Sequence, residues 1–81
     1  MTKDDIKTRV RVVLAKALKT DPATIADNAT QMDLSEWDSV RHMNVILALE
    51  NDFGIEFEDA ELPTLTSVPL MVATIEKHIA G

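Results

Sequence analysis

The chain has 81 residues, 46% of them hydrophobic, no cysteine and a formal net charge of −6. That length supports one small domain, residues 1–81, with a modest core. The lack of cysteine excludes a disulfide framework, thiolate metal sites and any thiol of the chain's own. Residues 1–20 hold six basic and two acidic side chains, a net of +4, whereas the remainder holds two basic and twelve acidic ones, a net of −10. An acidic body repels a phosphate backbone, which argues against a nucleic-acid partner. No apolar run approaches membrane-spanning length, and Met1-Thr2-Lys3-Asp4-Asp5 is no secretion signal, so a soluble, cytoplasmic protein is expected.

The first helix is predicted from about Lys3 to Lys19, capped by Thr2, with Asp4 and Asp5 in its first turn and Lys16 and Lys19 in its last. Ile6, Val10, Val13, Leu14, Ala17 and Leu18 recur at helical steps and form its inner stripe. A long polar connection follows, from Thr20 to Asp38. Asp21 and Pro22 open a short helical turn in it, and Ile25, Ala29, Met32 and Leu34 are expected to pin it to the core.

A second helix is predicted from Ser39 to Phe53, stopped by Gly54. Val40, Met43, Ile46, Leu47, Leu49 and Phe53 give it a wide apolar face that should be buried, with Arg41, His42, Asn44 and Asn51 outward. Glu58 to Leu62 allows one helical turn that Pro63 should end. Thr66 is expected to cap the last helix, whose inner stripe is Val68, Met71, Val72, Ile75 and Ile79. Three helices and one short one make an all-α, four-helix bundle with a long loop between helices one and two.

The chemistry concentrates in Ser35-Glu36-Trp37-Asp38-Ser39-Val40-Arg41-His42-Met43. A helix start has free N–H groups and a partial positive charge, so a hydroxyl at Ser39 is well placed to bear a phosphate ester. On the spacing alone the plainer reading, that Asp38 or Ser39 simply caps the helix, is the favoured one. His42, three residues on, invites a serine nucleophile, but no group to orient the histidine and no oxyanion donors are evident. Glu56, Glu58, Asp59 and Glu61 lack calcium-loop spacing and read as a solvated edge. His78 has no support as a ligand, and Trp37 beside a helix start reads as packing that fixes the loop.

Asp38-Ser39-Val40, followed by Ala48-Leu49-Glu50-Asn51-Asp52-Phe53-Gly54-Ile55-Glu56-Phe57 and then Thr66-Ser67-Val68, resembles the acyl carrier proteins over nearly the whole chain. The resemblance implies that Ser39 receives 4′-phosphopantetheine from coenzyme A through a holo-carrier synthase, with Asp38 supporting that transferase and its metal ion. It also implies a non-catalytic, monomeric carrier. Acyl or aminoacyl groups would ride as thioesters on the arm, whose thiol replaces the cysteine the chain lacks, and be presented to loading ligases, synthases and acyltransferases. Trp37, Val40, Arg41, Asn44, Glu50, Asn51 and Glu56 would meet partners; Ile46, Leu49, Phe57, Leu62, Leu65 and Met71 would line an acyl cavity.

The chain departs from that family's fatty-acid members in having Trp37 before Asp-Ser, Val40 for the usual Leu, and Arg41, Asn44 and Asn51 where acidic residues are common. Those departures suggest a specialised lipid, polyketide or aminoacyl pathway over the housekeeping fatty-acid carrier. The bulk of Phe57, Leu62 and Met71 suggests a short, polar or aminoacyl cargo. An unmodified helical adaptor would be the reading from another class.

Overall fold

Thr2 and Asp5 set the start of the first helix. In the computed structural model, which describes residues 2–80, the Thr2 hydroxyl accepts from the Asp5 N–H at 3.2 Å and the Asp5 carboxylate accepts from the Thr2 N–H at 3.3 Å. This reciprocal cap satisfies donors that a helix start leaves free. The helix, α1 (Lys3–Leu18), stops where Lys19 adopts a left-handed φ of 57°. Ile6, Val10, Val13, Leu14 and Leu18 are buried; so is Ala15, which the stripe omitted, while Ala17 is only partly covered. α1 packs against both other long helices and is the spine of the bundle.

The connection begins with a 3₁₀ turn, η1 (Pro22–Thr24), capped by Asp21, whose carboxylate accepts from Ala23 N–H at 2.9 Å. Arg11 reaches across from α1 and donates to the carbonyls of Ile25 (2.8 Å) and Pro22 (3.3 Å) and to the Asp27 carboxylate (3.2 Å). Ile25 and Ala29 are buried and Leu34 packs against the core, as expected. Met32 does not: it is 96% exposed. The far half of the connection is held by backbone instead, Gln31 N–H to Thr66 O at 2.8 Å and Val68 N–H to Ala29 O at 2.9 Å, around an isolated antiparallel bridge between Thr30 and Ser67. Main-chain pairing leaves no hydrophobic mark in a sequence, so Met32 reads there as one of four anchors.

α2 (Ser39–Phe53) has the predicted bounds and ends at Gly54, whose φ of 66° is the left-handed conformation that favours glycine. Its apolar face is not buried whole. Val45, Ile46 and Leu49 are buried, whereas Val40, Met43 and Leu47 are 76%, 48% and 58% exposed. The helix carries two apolar stripes at helical spacing, and its neighbours cover one of them.

Beyond α2 the chain runs without strand structure through Ile55 and Phe57 to a second 3₁₀ turn, η2 (Leu62–Thr64). Pro63 lies inside that turn's start instead of ending a turn before it, because a missing N–H costs nothing in a first helical turn. α3 (Val68–Ala80) is capped by Ser67 and not by Thr66: Ser67 Oγ accepts from Leu70 N–H at 3.2 Å, while the Thr66 carbonyl is committed to Gln31. Val68, Met71, Val72 and Ile75 are buried, but Ile79 is 44% exposed, Ile75 being the last core position of the helix. Three helices with η2 in the place of the short fourth one form the expected all-α bundle. None of its described helices is long and apolar enough to cross a membrane.

Candidate functional site

Asp38 settles which residue caps α2. Its backbone is extended (φ −94°, ψ −178°) and its Oδ1 accepts from Arg41 N–H at 2.8 Å, while its carbonyl takes His42 N–H at 2.9 Å. Ser39 is therefore relieved of capping. It is the first residue of the helix and is exposed, and among the described residues its hydroxyl has no hydrogen-bond partner. The N–H groups of Ser39 and Val40 are likewise unpaired among the described residues, at the positive end of a 15-residue helix. A phosphodiester formed on Ser39 Oγ would lie beside both donors, so the site fits an anionic ester. The chain's other serines do not match it. Ser67 is 9% exposed with its hydroxyl spent on capping α3, and Ser35 lies in a loop turn four residues ahead of any helix.

Beneath this turn lies a contact that sequence reasoning missed. Trp37, expected as packing and as a partner contact, is 2% exposed and offers partners no surface. Its indole Nε1–H donates to His42 Nδ1 at 2.9 Å, and the rings stack at 5.9 Å between centroids. Because Nδ1 accepts, the proton of the neutral ring is on Nε2, which faces the Leu62 carbonyl at 3.2 Å and donates to it. His42 is thus half-buried and not outward, held between the loop and η2. Each such neutral hydrogen bond contributes about 0.5–1.5 kcal/mol net. With both ring nitrogens committed, His42 has none to offer Ser39 as a base, which removes the serine-nucleophile reading.

Arg41, Asn44, Asn51 and Glu56 are exposed as expected, with Arg41 also donating to the Glu36 carbonyl at 3.0 Å. Glu50 is half-buried and accepts from Phe57 N–H at 2.8 Å, so part of the carboxylate foreseen for partners fastens the chain beyond α2. An open groove of about 530 Å³ runs between α2 and this segment, lined by Met43, Ile46, Leu47, Phe57 and Leu62 among others. Of the residues foreseen as cavity lining, Ile46, Phe57 and Leu62 line it. Leu49, Leu65 and Met71 do not: each is 0% exposed and packed into the core, because side chains of that bulk fill the space a lining residue would leave.

Of the acidic edge, Glu56, Glu58 and Asp59 are exposed as expected, whereas Glu61 is half-buried. Glu61 Oε1 lies 2.8 Å from His78 Nε2 and accepts from Glu58 N–H at 2.9 Å, with side-chain exposures of 17% for Glu61 and 23% for His78. The Glu58 N–H first, and His78 second, hold the Glu61 carboxyl below its ordinary 4.5. A depressed carboxyl contributes stability that is complete above its unfolded value and is lost as pH falls through the folded one. Glu61→Gln should therefore lower Tm at neutral pH, and its deficit against wild type should shrink as pH falls from about 5 into the acid range. Thermal melts across that range check it; a deficit that stays constant would show that the charge contributes nothing.

A helical domain whose Ser39 hydroxyl is exposed at a helix start and unpaired among the described residues has room there for a covalent group. A family profile described as "Phosphopantetheine attachment site" matches residues 8–75. The chain is 29% identical over 81 residues, the full length of both, to an acyl carrier protein of Thermosynechococcus vestitus. It is 24% identical over 78 residues, 96% of each chain, to an acyl carrier protein of Thermotoga maritima. It is also 31% identical over 78 residues, 96% of this chain and 62% of the relative, to the mitochondrial acyl carrier protein 2 of Arabidopsis thaliana. The chain belongs to the acyl carrier protein family. Its cofactor is covalent 4′-phosphopantetheine, and it is a carrier and not an enzyme.

Proposed function

We propose that Ser39 bears the arm and that the carrier serves dedicated enzymes of a specialised lipid, polyketide or aminoacyl pathway, outside the general fatty-acid cycle. The observation that carries this reading is the surface beside Ser39. Val40, Met43 and Leu47 stand exposed next to Arg41 and Asn44, and α2 has no carboxylate before Glu50. An enzyme that finds its carrier through cations meets an apolar ridge and another cation there, and rim charges set encounter and partner choice. The transferase that loads the arm needs less: the Ser39 hydroxyl, the unpaired N–H groups, and the Asp38 oxygen left over from capping, which can face its metal ion. The full burial of Leu49, Leu65 and Met71, which leaves the core filled, supports a short, polar or aminoacyl cargo.

The test is a general fatty-acid ketosynthase supplied with this carrier, acyl-loaded, and with the carrier it normally uses. We expect kcat/KM at least about tenfold lower on this chain, and recovery of part of the loss in an Arg41→Glu, Asn44→Glu double variant. Equal rates on the two carriers would sink the specialised reading while leaving the attachment site untouched.

A further inference from the structure

The groove and the attachment residue share one face of α2. Met43, Ile46 and Glu50 follow Ser39 at steps of four, seven and eleven residues, and all three line the groove. Ile46 lies about 10 Å along the helix from Ser39, so an arm on Ser39 that folds back meets the groove from that end. His42 stands at that end, one turn from Ser39 and one turn from Ile46. Its ring is pinned on one side by the indole of the buried Trp37 at 2.9 Å and on the other by the carbonyl of Leu62 at 3.2 Å. Leu62 is both the first residue of η2 and part of the groove wall. α2 and η2 are thus tied together where a chain coming from Ser39 would have to part them.

We propose that His42 is a specificity-determining residue of this carrier. Positioned by Trp37 and bound to the Leu62 carbonyl, it holds the Ser39 end of the groove closed, so that cargo beyond a few carbons stays outside. Seating a longer chain between α2 and η2 requires the η2 backbone at Leu62 to move away from α2, which breaks the hydrogen bond between His42 and the Leu62 carbonyl. Nothing deeper offers room, because Leu49, Leu65 and Met71 are fully buried. The inference rests on Ser39 as the attachment point and names the feature that limits its cargo.

The experiment compares acetyl- and octanoyl-loaded holo-protein in wild type, His42→Ala and Trp37→Phe, with loading verified by intact mass. In wild type the two loaded forms should melt within about 1 °C of each other. In His42→Ala the octanoyl form should melt at least about 4 °C above the acetyl form, and Trp37→Phe should fall between. A purely structural role would lower both loaded forms of a variant equally and open no gap between chain lengths. The indole N–H resonance of Trp37, the chain's single tryptophan, gives a second readout. In apo wild type it should exchange slowly with solvent, and in His42→Ala quickly. A chain-length gap already present in wild type, or absent from both variants, overturns the proposal. Failure of Ser39 to load would instead count against the attachment reading. Free acetyl- and octanoyl-pantetheine added to the apo proteins then put the same question to the groove, with the same outcomes deciding it.

Discussion

Ser39→Ala should abolish attachment of 4′-phosphopantetheine and leave the melting temperature almost unchanged. The loss is expected to be complete because no other serine reproduces the geometry: Ser67 is buried and engaged as a cap, and Ser35 has no helix start beneath it. The fold should not notice, because Asp38 and not Ser39 satisfies the Arg41 N–H, and Ser39 is exposed with its hydroxyl unpaired among the described residues. Alanine at a first helical position is no worse a helix former than serine, and an exposed substitution of this kind stays within about 0.5 kcal/mol. Intact mass after incubation with coenzyme A and a broad transferase measures the first effect; a thermal melt measures the second. Asp38→Ala separates capping from chemistry. It should cost about 1 kcal/mol of stability by removing the cap, and slow loading beyond what that loss explains if the carboxylate faces the transferase's metal ion. A mass gain that survives Ser39→Ala would move the attachment point elsewhere.

How much of this was legible in the sequence depended on range. Most caps were readable because each is a residue type acting on its near neighbours: Thr2 at the start of α1, Asp21 with Ala23, Gly54 at its left-handed φ; Asp38 was one of two candidates for α2, and Thr66 was one residue short of Ser67, the cap of α3. The turn at Ser39, where attachment is proposed, is of this local kind, and so are the bounds of α2. The fastenings between elements were not readable. Trp37 to His42 to Leu62 spans gaps of five and twenty residues, Arg11 to Ile25 fourteen, and Glu61 to His78 seventeen. No spacing rule marks such pairs, because the fold and not the chain brings them together.

α2 shows a different limit. His42, Val45, Ile46, Leu49 and Phe53 recur at helical steps, and so do Val40, Met43 and Leu47. Periodicity identifies two stripes and cannot say which one a neighbour covers. The stripe left open is the one next to Ser39, where the proposed partner surface lies. The apolar count of a helix thus overstates its burial most at the place where a partner completes the packing.

Trp37 decides between two accounts of the same residue, and its removal should have the largest effect on stability of any change near the site. The side chain is 2% exposed, and its N–H is the donor that orients His42. Trp37→Ala would empty a large volume beside the attachment turn and leave His42 Nδ1 without its donor. Truncations of this size cost about 3–5 kcal/mol, out of the about 5–15 kcal/mol that hold a small domain together. At roughly 4–8 °C per kcal/mol for a chain of this length, Tm should fall by at least about 12 °C. Trp37→Phe keeps most of the volume and loses chiefly the hydrogen bond, so it should cost about 1–2 kcal/mol. Far-UV circular dichroism melts of the apo variants measure both without involving any partner. Had Trp37 been a docking residue, Trp37→Ala would leave the melt in place and reduce turnover by the enzymes that use the carrier. A melt within a few degrees of wild type would return it to that role, and would mean that the turn bearing Ser39 keeps its shape without an anchor in the core.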